Sequence, residues 1–151
     1  MLKLNKLTDQ EIIGQLFIVS INADKMKTRA DRERFARKYF NKYPPGGLLV
    51  TGRSLERVYA TVQWAQAISK VPLWIAADIE RGLAGIYAGG TDYPHFAMAG
   101  AAGDPELVYQ MGKGIAAECR AIGINLLFSP VVDLLTENII INIRSFHEHP
   151  E

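Results

Sequence analysis

Four short apolar runs, separated by stretches of helical periodicity, constrain this chain more than any other feature. They are Leu16-Phe17-Ile18-Val19-Ser20-Ile21, Leu48-Leu49-Val50, Leu73-Trp74-Ile75-Ala76-Ala77 and Ile124-Asn125-Leu126-Leu127-Phe128-Ser129. Each is brief and apolar at nearly every position, without the strict alternation of a half-solvated strand. Such strands, alternating with amphipathic helices, imply a parallel sheet covered on its faces, an α/β fold. The order along the chain is strand, helix, strand, helix, strand, long loop, helix, strand.

Local signals set the expected boundaries. Thr8-Asp9-Gln10-Glu11 has the form of a capping box and opens a short helix that gives way near Gln15. Arg29 to Asn41 is highly charged, with Phe35, Tyr39 and Phe40 as its apolar points, which predicts a surface helix with a narrow buried stripe. Pro44-Pro45-Gly46-Gly47 is a break. Ser54 is a good N-cap, and Leu55, Val58, Tyr59, Val62, Ala65 and Ile68 then recur at helical spacing. Asp104-Pro105-Glu106 starts the last helix, Leu107, Val108, Met111, Ile115, Cys119 and Ile122 carry its stripe, and Gly123 suits the C′ position. Residues 22–28 and 78–103 read as loops. The second is long and rich in glycine, and loops of that length in a compact fold are more often functional than not. Nothing marks an internal boundary, so 1–151 reads as a single domain.

Length and composition narrow the function classes. At 151 residues the chain is too short for a complete (β/α)8 barrel, which takes about 250 residues and at least about 200. Lys and Arg number 17 against 16 Asp and Glu, a net charge of +1 that argues against a nucleic-acid-binding domain. The single cysteine, Cys119, excludes an intrachain disulfide and a cysteine-based zinc site, and it sits on a helix stripe as a core residue would. No apolar run approaches the roughly 18–20 residues of a membrane helix. Lys3 and Lys6 before the apolar stretch Ile12 to Ile21 echo a signal peptide, but Asp9, Gln10 and Glu11 flank that stretch and Gly14 and Gln15 interrupt it. A cytoplasmic location is expected.

In parallel α/β folds ligands meet the C-terminal ends of the strands. Two expected strand ends carry carboxylates: Asp78-Ile79-Glu80-Arg81-Gly82 after the third strand and Pro130-Val131-Val132-Asp133 after the fourth. Asp78, Glu80 and Asp133 could accept hydrogen bonds from hydroxyls, bind a metal or do acid–base work. Equally, they could cap loops or pair with Arg81. Gly82, Gly85, Gly89 and Gly90 match neither a Walker loop nor a dinucleotide fingerprint and read as a loop needing positive φ. His147-Glu148-His149 reads as a solvated tail rather than a metal clip. Asp31 and Glu33 interleave the cations of Arg29, Arg32, Arg34, Arg37 and Lys38, which suits a solvated face. No Ser/His/Asp constellation is visible. No metal and no cofactor are expected.

Together these residues resemble the N-terminal part of the catalytic domain of glycoside hydrolase family 3, its β-N-acetylglucosaminidase branch first and its β-glucosidases next. The matching stretches are Ile13-Gly14-Gln15-Leu16-Phe17, Pro45-Gly46-Gly47-Leu48-Leu49, Ala77-Asp78-Ile79-Glu80-Arg81-Gly82 and Gly90-Thr91-Asp92-Tyr93-Pro94. Met98-Ala99-Gly100-Ala101, Gly103-Asp104-Pro105-Glu106-Leu107, Gly123-Ile124-Asn125, Phe128-Ser129-Pro130-Val131-Val132-Asp133 and Arg144-Ser145-Phe146 continue the series in order. The resemblance implies about the first four units of a (β/α)8 TIM-type barrel that cleaves β-linked sugars with retention. It also implies that Asp78 and Arg144 bind the sugar, a β-linked glycoside such as one containing N-acetylglucosamine. An ionised carboxylate accepts hydroxyls and a guanidinium donates in a fixed fork, so both residue types suit that role.

The chain departs from the family's pattern in its sugar-facing loops. Arg81 and Ile86 stand where the family has a glycine and an arginine, and the segment between Asp133 and Arg144 is about two residues short with no Asn-Pro turn. The family's Lys-His-Phe-Pro-Gly segment, acid–base group and nucleophile are expected beyond residue 151, so no catalytic residue is assigned here. The chain is therefore expected to be the N-terminal part of a glycosidase, inactive by itself. The alternatives are a non-catalytic sugar-binding module and a half-barrel that self-associates or pairs with a missing C-terminal half, because four parallel strands leave two backbone edges and an apolar face open.

Overall fold

In a computed structural model, which describes residues 4–134 and 140–146, the chain divides into two compact units. The first comprises Met1–Ala77 with Ile122–Leu126, the second Asp78–Ala121 with Leu127–Glu151.

The first unit begins with the expected capping box. Thr8 accepts from the Glu11 N–H while the Glu11 carboxylate takes the Thr8 N–H at 2.8 Å, and α1 (Asp9–Gly14) follows. Then come β1 (Ile18–Asn22), α2 (Arg29–Tyr39), β2 (Gly47–Thr51), α3 (Leu55–Ile68) and β3 (Trp74–Ala77). α2 carries a capping box of its own, Thr28 with Asp31, a start signal that its charge pattern does not reveal. Phe35, Tyr39 and Phe40 are half-buried, as a narrow stripe requires, and the Phe35 ring lies 4.6 Å from that of Tyr39. Ser54 caps α3 through the Arg57 N–H, and Val58, Val62 and Ala65 are buried along it. Tyr59 and Ile68, expected on the same stripe, are exposed, and Thr61 is buried instead.

β1 pairs with β2 and β2 with β3, both parallel, and β4 (Leu126–Leu127) joins beside β3 to give the order β1-β2-β3-β4. Ile18, Gly47 and Trp74 form one cross-strand row, and Val19, Leu48 and Ile75 the next. Because side chains alternate between faces, successive rows point to opposite sides. Leu48, Ile75, Ile21 and Val50 are buried on one side, whereas Ile18 is exposed and Trp74 is 57% exposed on the other. The sheet is thus covered on one face and partly open on the second, unlike the two covered faces implied by its apolar runs.

β1 starts later than expected. Leu16, 81% exposed, and the exposed Phe17 lie in a turn closed by Leu16 N–H to Ile13 O and Phe17 N–H to Gly14 O, both 3.1 Å. β4 is two residues long rather than six. Asn125 extends the ladder with its side chain: Oδ1 accepts the Ile75 N–H at 2.7 Å and Nδ2 donates to Leu73 O at 3.2 Å.

The second unit contains α4 (Phe96–Ala101) and α5 (Pro105–Ala121). Asp104 accepts from the Glu106 N–H at 2.9 Å, so α5 starts where expected, and Met111, Ile115 and Cys119 are buried along it. Gly123 beyond it has φ +85°, as a C′ residue should. Val108 is half-buried and Leu107 exposed. α4 corrects the expectation of a structureless 78–103. Four of its six residues are alanine or glycine and its N-cap, His95, makes no side-chain capping bond, so it lacks the usual start signal. A 3-10 turn at Leu83–Gly85 adds further order to that stretch. Of the apolar run at 139–141, Ile139 lies outside the described residues, and Ile140 and Ile141 are in a turn. His147-Glu148-His149 also lies outside them. Among the described residues no helix is long and apolar enough to cross a membrane.

Candidate functional site

Asp78 directly follows β3, at the strand's C-terminal end. The backbone after it is held down, since Ile79 is buried and the Ser129 hydroxyl donates to the Ile79 carbonyl at 2.7 Å. The Asp78 side chain is exposed, and its carboxylate takes no hydrogen bond or ion pair among the described residues. An ionised carboxylate left in that state keeps all its acceptor sites for a ligand.

Arg144 lies in a 3-10 turn, Asn142–Arg144, and reaches Glu80 across 64 residues of sequence. Its Nε donates to the two Glu80 oxygens at 3.1 and 3.0 Å, its Nη2 to Oε1 at 2.6 Å, and its Nη1 to the Ile140 carbonyl at 3.3 Å. This is the two-pronged fork of an arginine–carboxylate pair. The hydrogen bonds it donates to Glu80, and then the Glu80 charge, raise the Arg144 pKa above its ordinary value, and the charges of Asp133 and Asp78 add to the shift. Asp78, Asp133, Glu80 and Arg144 therefore share one electrostatic neighbourhood.

The neighbours of Arg144 in sequence are anchored too. The buried Ser145 donates its hydroxyl to the Asp133 carbonyl at 2.5 Å. The Phe146 ring stacks on Phe96 at 4.4 Å, and Gly100 lets the Phe146 carbonyl approach so closely that a Cβ there would collide with it. A cavity of about 220 Å³ is lined by Glu80 together with Ile79, Phe96, Met111, Ser129 and Phe146 among others.

Arg81 does not pair with any of the three candidate carboxylates. Its Nη1 meets Asp92 at 3.0 Å and its carbonyl accepts the Tyr93 N–H at 2.9 Å, which closes the glycine-rich loop on itself. Gly82 makes that closure possible: its φ is +87°, and a Cβ would strike the Thr91 carbonyl and the Tyr93 ring. Glu118 on α5 fastens the loop by accepting from the Thr91 N–H, at 3.2 Å, and from its hydroxyl.

Tyr87 is fully buried in this unit, and burial raises its pKa, followed by the charges of Cys119 and Asp78. Burial pushes the Cys119 thiol up to about 11, which suits an inert core residue. Of the expected site residues, Asp78 and Asp133 reach Arg144 only through their charges. Glu80 is the hydrogen-bonded partner of Arg144, a role its sequence position did not indicate. Tyr87 carried no sequence signal beyond being an aromatic residue among glycines. Among the described residues no group of three or more His, Cys, Asp or Glu side chains could hold a metal.

Known proteins resemble this chain. The family described as the glycosyl hydrolase family 3 N-terminal domain matches residues 8–151. A beta-N-acetylglucosaminidase/beta-glucosidase from Cellulomonas fimi is 34% identical over 103 residues, 67% of this chain and 18% of that protein. A beta-hexosaminidase from Chromobacterium violaceum is 32% identical over 135 residues, 82% of this chain and 36% of that protein. The chain thus spans well under half the length of these relatives. Among solved structures, the beta-glucoside phosphorylase BglX bound to 2FGlc superposes with a TM-score of 0.83 at 28% identity, covering 97% of this chain and 26% of that one. NagZ from Neisseria gonorrhoeae in complex with N-trifluoroacetyl-D-glucosamine gives 0.70 at 26% identity, over 88% of this chain and 41% of that one. The (β/α)-type architecture and the ordered motifs around Asp78 and Arg144 have the same explanation: the chain belongs to glycoside hydrolase family 3, as its N-terminal domain.

Proposed function

We propose that this chain supplies part of the sugar-binding end of a glycoside hydrolase that cleaves β-linked sugars with retention, most closely a β-N-acetylhexosaminidase. Asp78 accepts hydrogen bonds from sugar hydroxyls, and Arg144 donates to them from a fixed position. The observation that carries this assignment is the Asp78 carboxylate at the C-terminal end of β3, unengaged among the described residues, together with the Arg144 guanidinium held by Glu80. Retaining hydrolysis needs a nucleophile and an acid–base group about 5 Å apart, and neither is assigned to residues 1–151. The names of the relatives support a glycosidase that acts on N-acetylglucosaminides or glucosides.

Calorimetric titration with N-acetylglucosamine tests the assignment. Heat at millimolar sugar that disappears in Asp78→Ala is expected, whereas no heat with the unmodified chain would rule it out.

We also propose self-association through the open side of the sheet. Among the described residues β1 hydrogen-bonds a strand on one side only, and Ile18 and Trp74 are exposed on the open face. Such an edge and face suit pairing with a second copy. Sedimentation should show a dimer that Trp74→Lys weakens, and a monomer at all concentrations would dismiss it.

A further inference from the structure

We infer that Glu80 is a positioning residue for sugar binding: its carboxylate presets the Arg144 guanidinium. The inference rests on the sugar site proposed above and goes beyond it by giving a role to a residue that need not touch the sugar.

A guanidinium has five N–H donors in a rigid plane. Glu80 takes the Nε–H and one hydrogen of Nη2, and the Ile140 carbonyl takes one hydrogen of Nη1. Among the described residues no partner takes the second hydrogen of either Nη, and with Nε and Nη2 held by one carboxylate the plane cannot rotate freely. Two donors of fixed direction are what hydroxyl recognition requires, and holding them in advance lowers the ordering cost of binding.

The Glu80 backbone is held firmly on both sides. Ile79 before it is buried and bonded to Ser129, and Arg81 after it is engaged with Asp92 and Tyr93.

The test is a double-mutant cycle read in sugar affinity. N-acetylglucosamine is titrated into the unmodified chain, Glu80→Gln, Arg144→Gln and the double variant. Glu80→Gln preserves volume but replaces an acceptor with a donor facing the guanidinium. It should weaken binding about fivefold or more, while Arg144→Gln should cost far less in the Glu80→Gln background than in the unmodified chain. Glu80→Asp keeps the charge but is one methylene short of reaching both nitrogens, and it should behave like Glu80→Gln. A purely structural role would instead lower thermal stability and leave the two losses additive.

Slow exchange of the Arg144 Nε–H by NMR, lost in Glu80→Gln, reads the pair directly without sugar. Additive losses, unchanged affinity in Glu80→Gln or a fast-exchanging Nε–H in the unmodified chain would each overturn the positioning role while leaving the sugar site standing. A protected Nε–H with no sugar binding by the unmodified chain would instead bring down the sugar site, and the positioning role with it.

Discussion

Asp24 follows β1 and Asp78 follows β3, both just past the C-terminal ends of strands in a parallel ladder, yet their surroundings differ. Asp24 is engaged throughout. Its Oδ2 accepts the Arg53 N–H at 2.8 Å, its Oδ1 the Ser54 N–H at 3.3 Å, and its own N–H is taken by Asn22 at 2.9 Å. Its carbonyl accepts from Arg57 at 3.2 Å. Asp78 has none of these contacts among the described residues, and Arg144 is held by Glu80. The same residue type at the same end of a strand thus has its acceptor sites filled by a loop in the first unit and open, among the described residues, in the second.

The largest expected effects lie at the glycines that let backbone approach backbone. A Cβ on Gly46 would overlap the Gln15 carbonyl, and one on Gly100 the Phe146 carbonyl. Neither obstacle is a flexible side chain, so each alanine variant should lose about 3 kcal/mol in urea unfolding, the upper end of overpacking. Gly100→Ala should also weaken sugar binding, because it displaces the segment that carries Arg144. Unchanged stability in both would mean that the close approaches are not structural constraints.

Next in size is the contrast between the two aspartates. Asp78→Ala should cost sugar affinity about tenfold or more, the value of hydrogen bonds to a charged acceptor, and change stability by less than about 0.5 kcal/mol. Asp24→Ala should do the reverse. It removes a cap from the Arg53 and Ser54 N–H groups and should destabilise by about 1 kcal/mol with sugar affinity unchanged. A stability loss in Asp78→Ala as large as that in Asp24→Ala would erase the distinction.

The smallest effect is a pH dependence in the first unit. Hydrogen bonds from Lys70, at 2.8 Å, and from Thr8 hold the Glu11 carboxyl below its ordinary value of 4.5. A lowered folded-state pKa means that the contribution is complete above the ordinary value and is lost as pH falls through the folded one. The melting temperature should therefore drop more between about pH 5 and about pH 3 in the unmodified chain than in Lys70→Met. Parallel curves would show that Lys70 does not set the Glu11 shift.

The parts of the fold legible in the sequence are those governed by neighbours a few positions away. The Thr8–Glu11 box, the Ser54 and Asp104 caps, and the Gly123 terminus each depend on residues within four positions, and each forms as expected. Leu16 and Phe17 show the limit. Their hydrophobicity suggests a buried strand, but hydrophobicity does not say which surface covers a residue, and the turn after Gly14 leaves both exposed. α4 is not legible because its alanines and glycine carry little directional signal and no side chain caps it. In the site, Asp78 is legible as a carboxylate at a strand end, and Arg144 through the ordered motifs around it. The bond between Arg144 and Glu80 is not, since the nearest sequence signal for either lies far from the other.

By itself, the sequence determined the alternation of strands and helices, the caps that start the helices, and the residue types able to meet a sugar. Those follow from backbone hydrogen bonding and side-chain periodicity, which act over a few residues. Only the tertiary structure decided which carboxylate Arg144 would take and which would stay open. Hydrogen-bonding capacity is finite, and how it is shared among Glu80, Asp78, Asp133 and Arg144 depends on which of them the fold brings within about 3 Å.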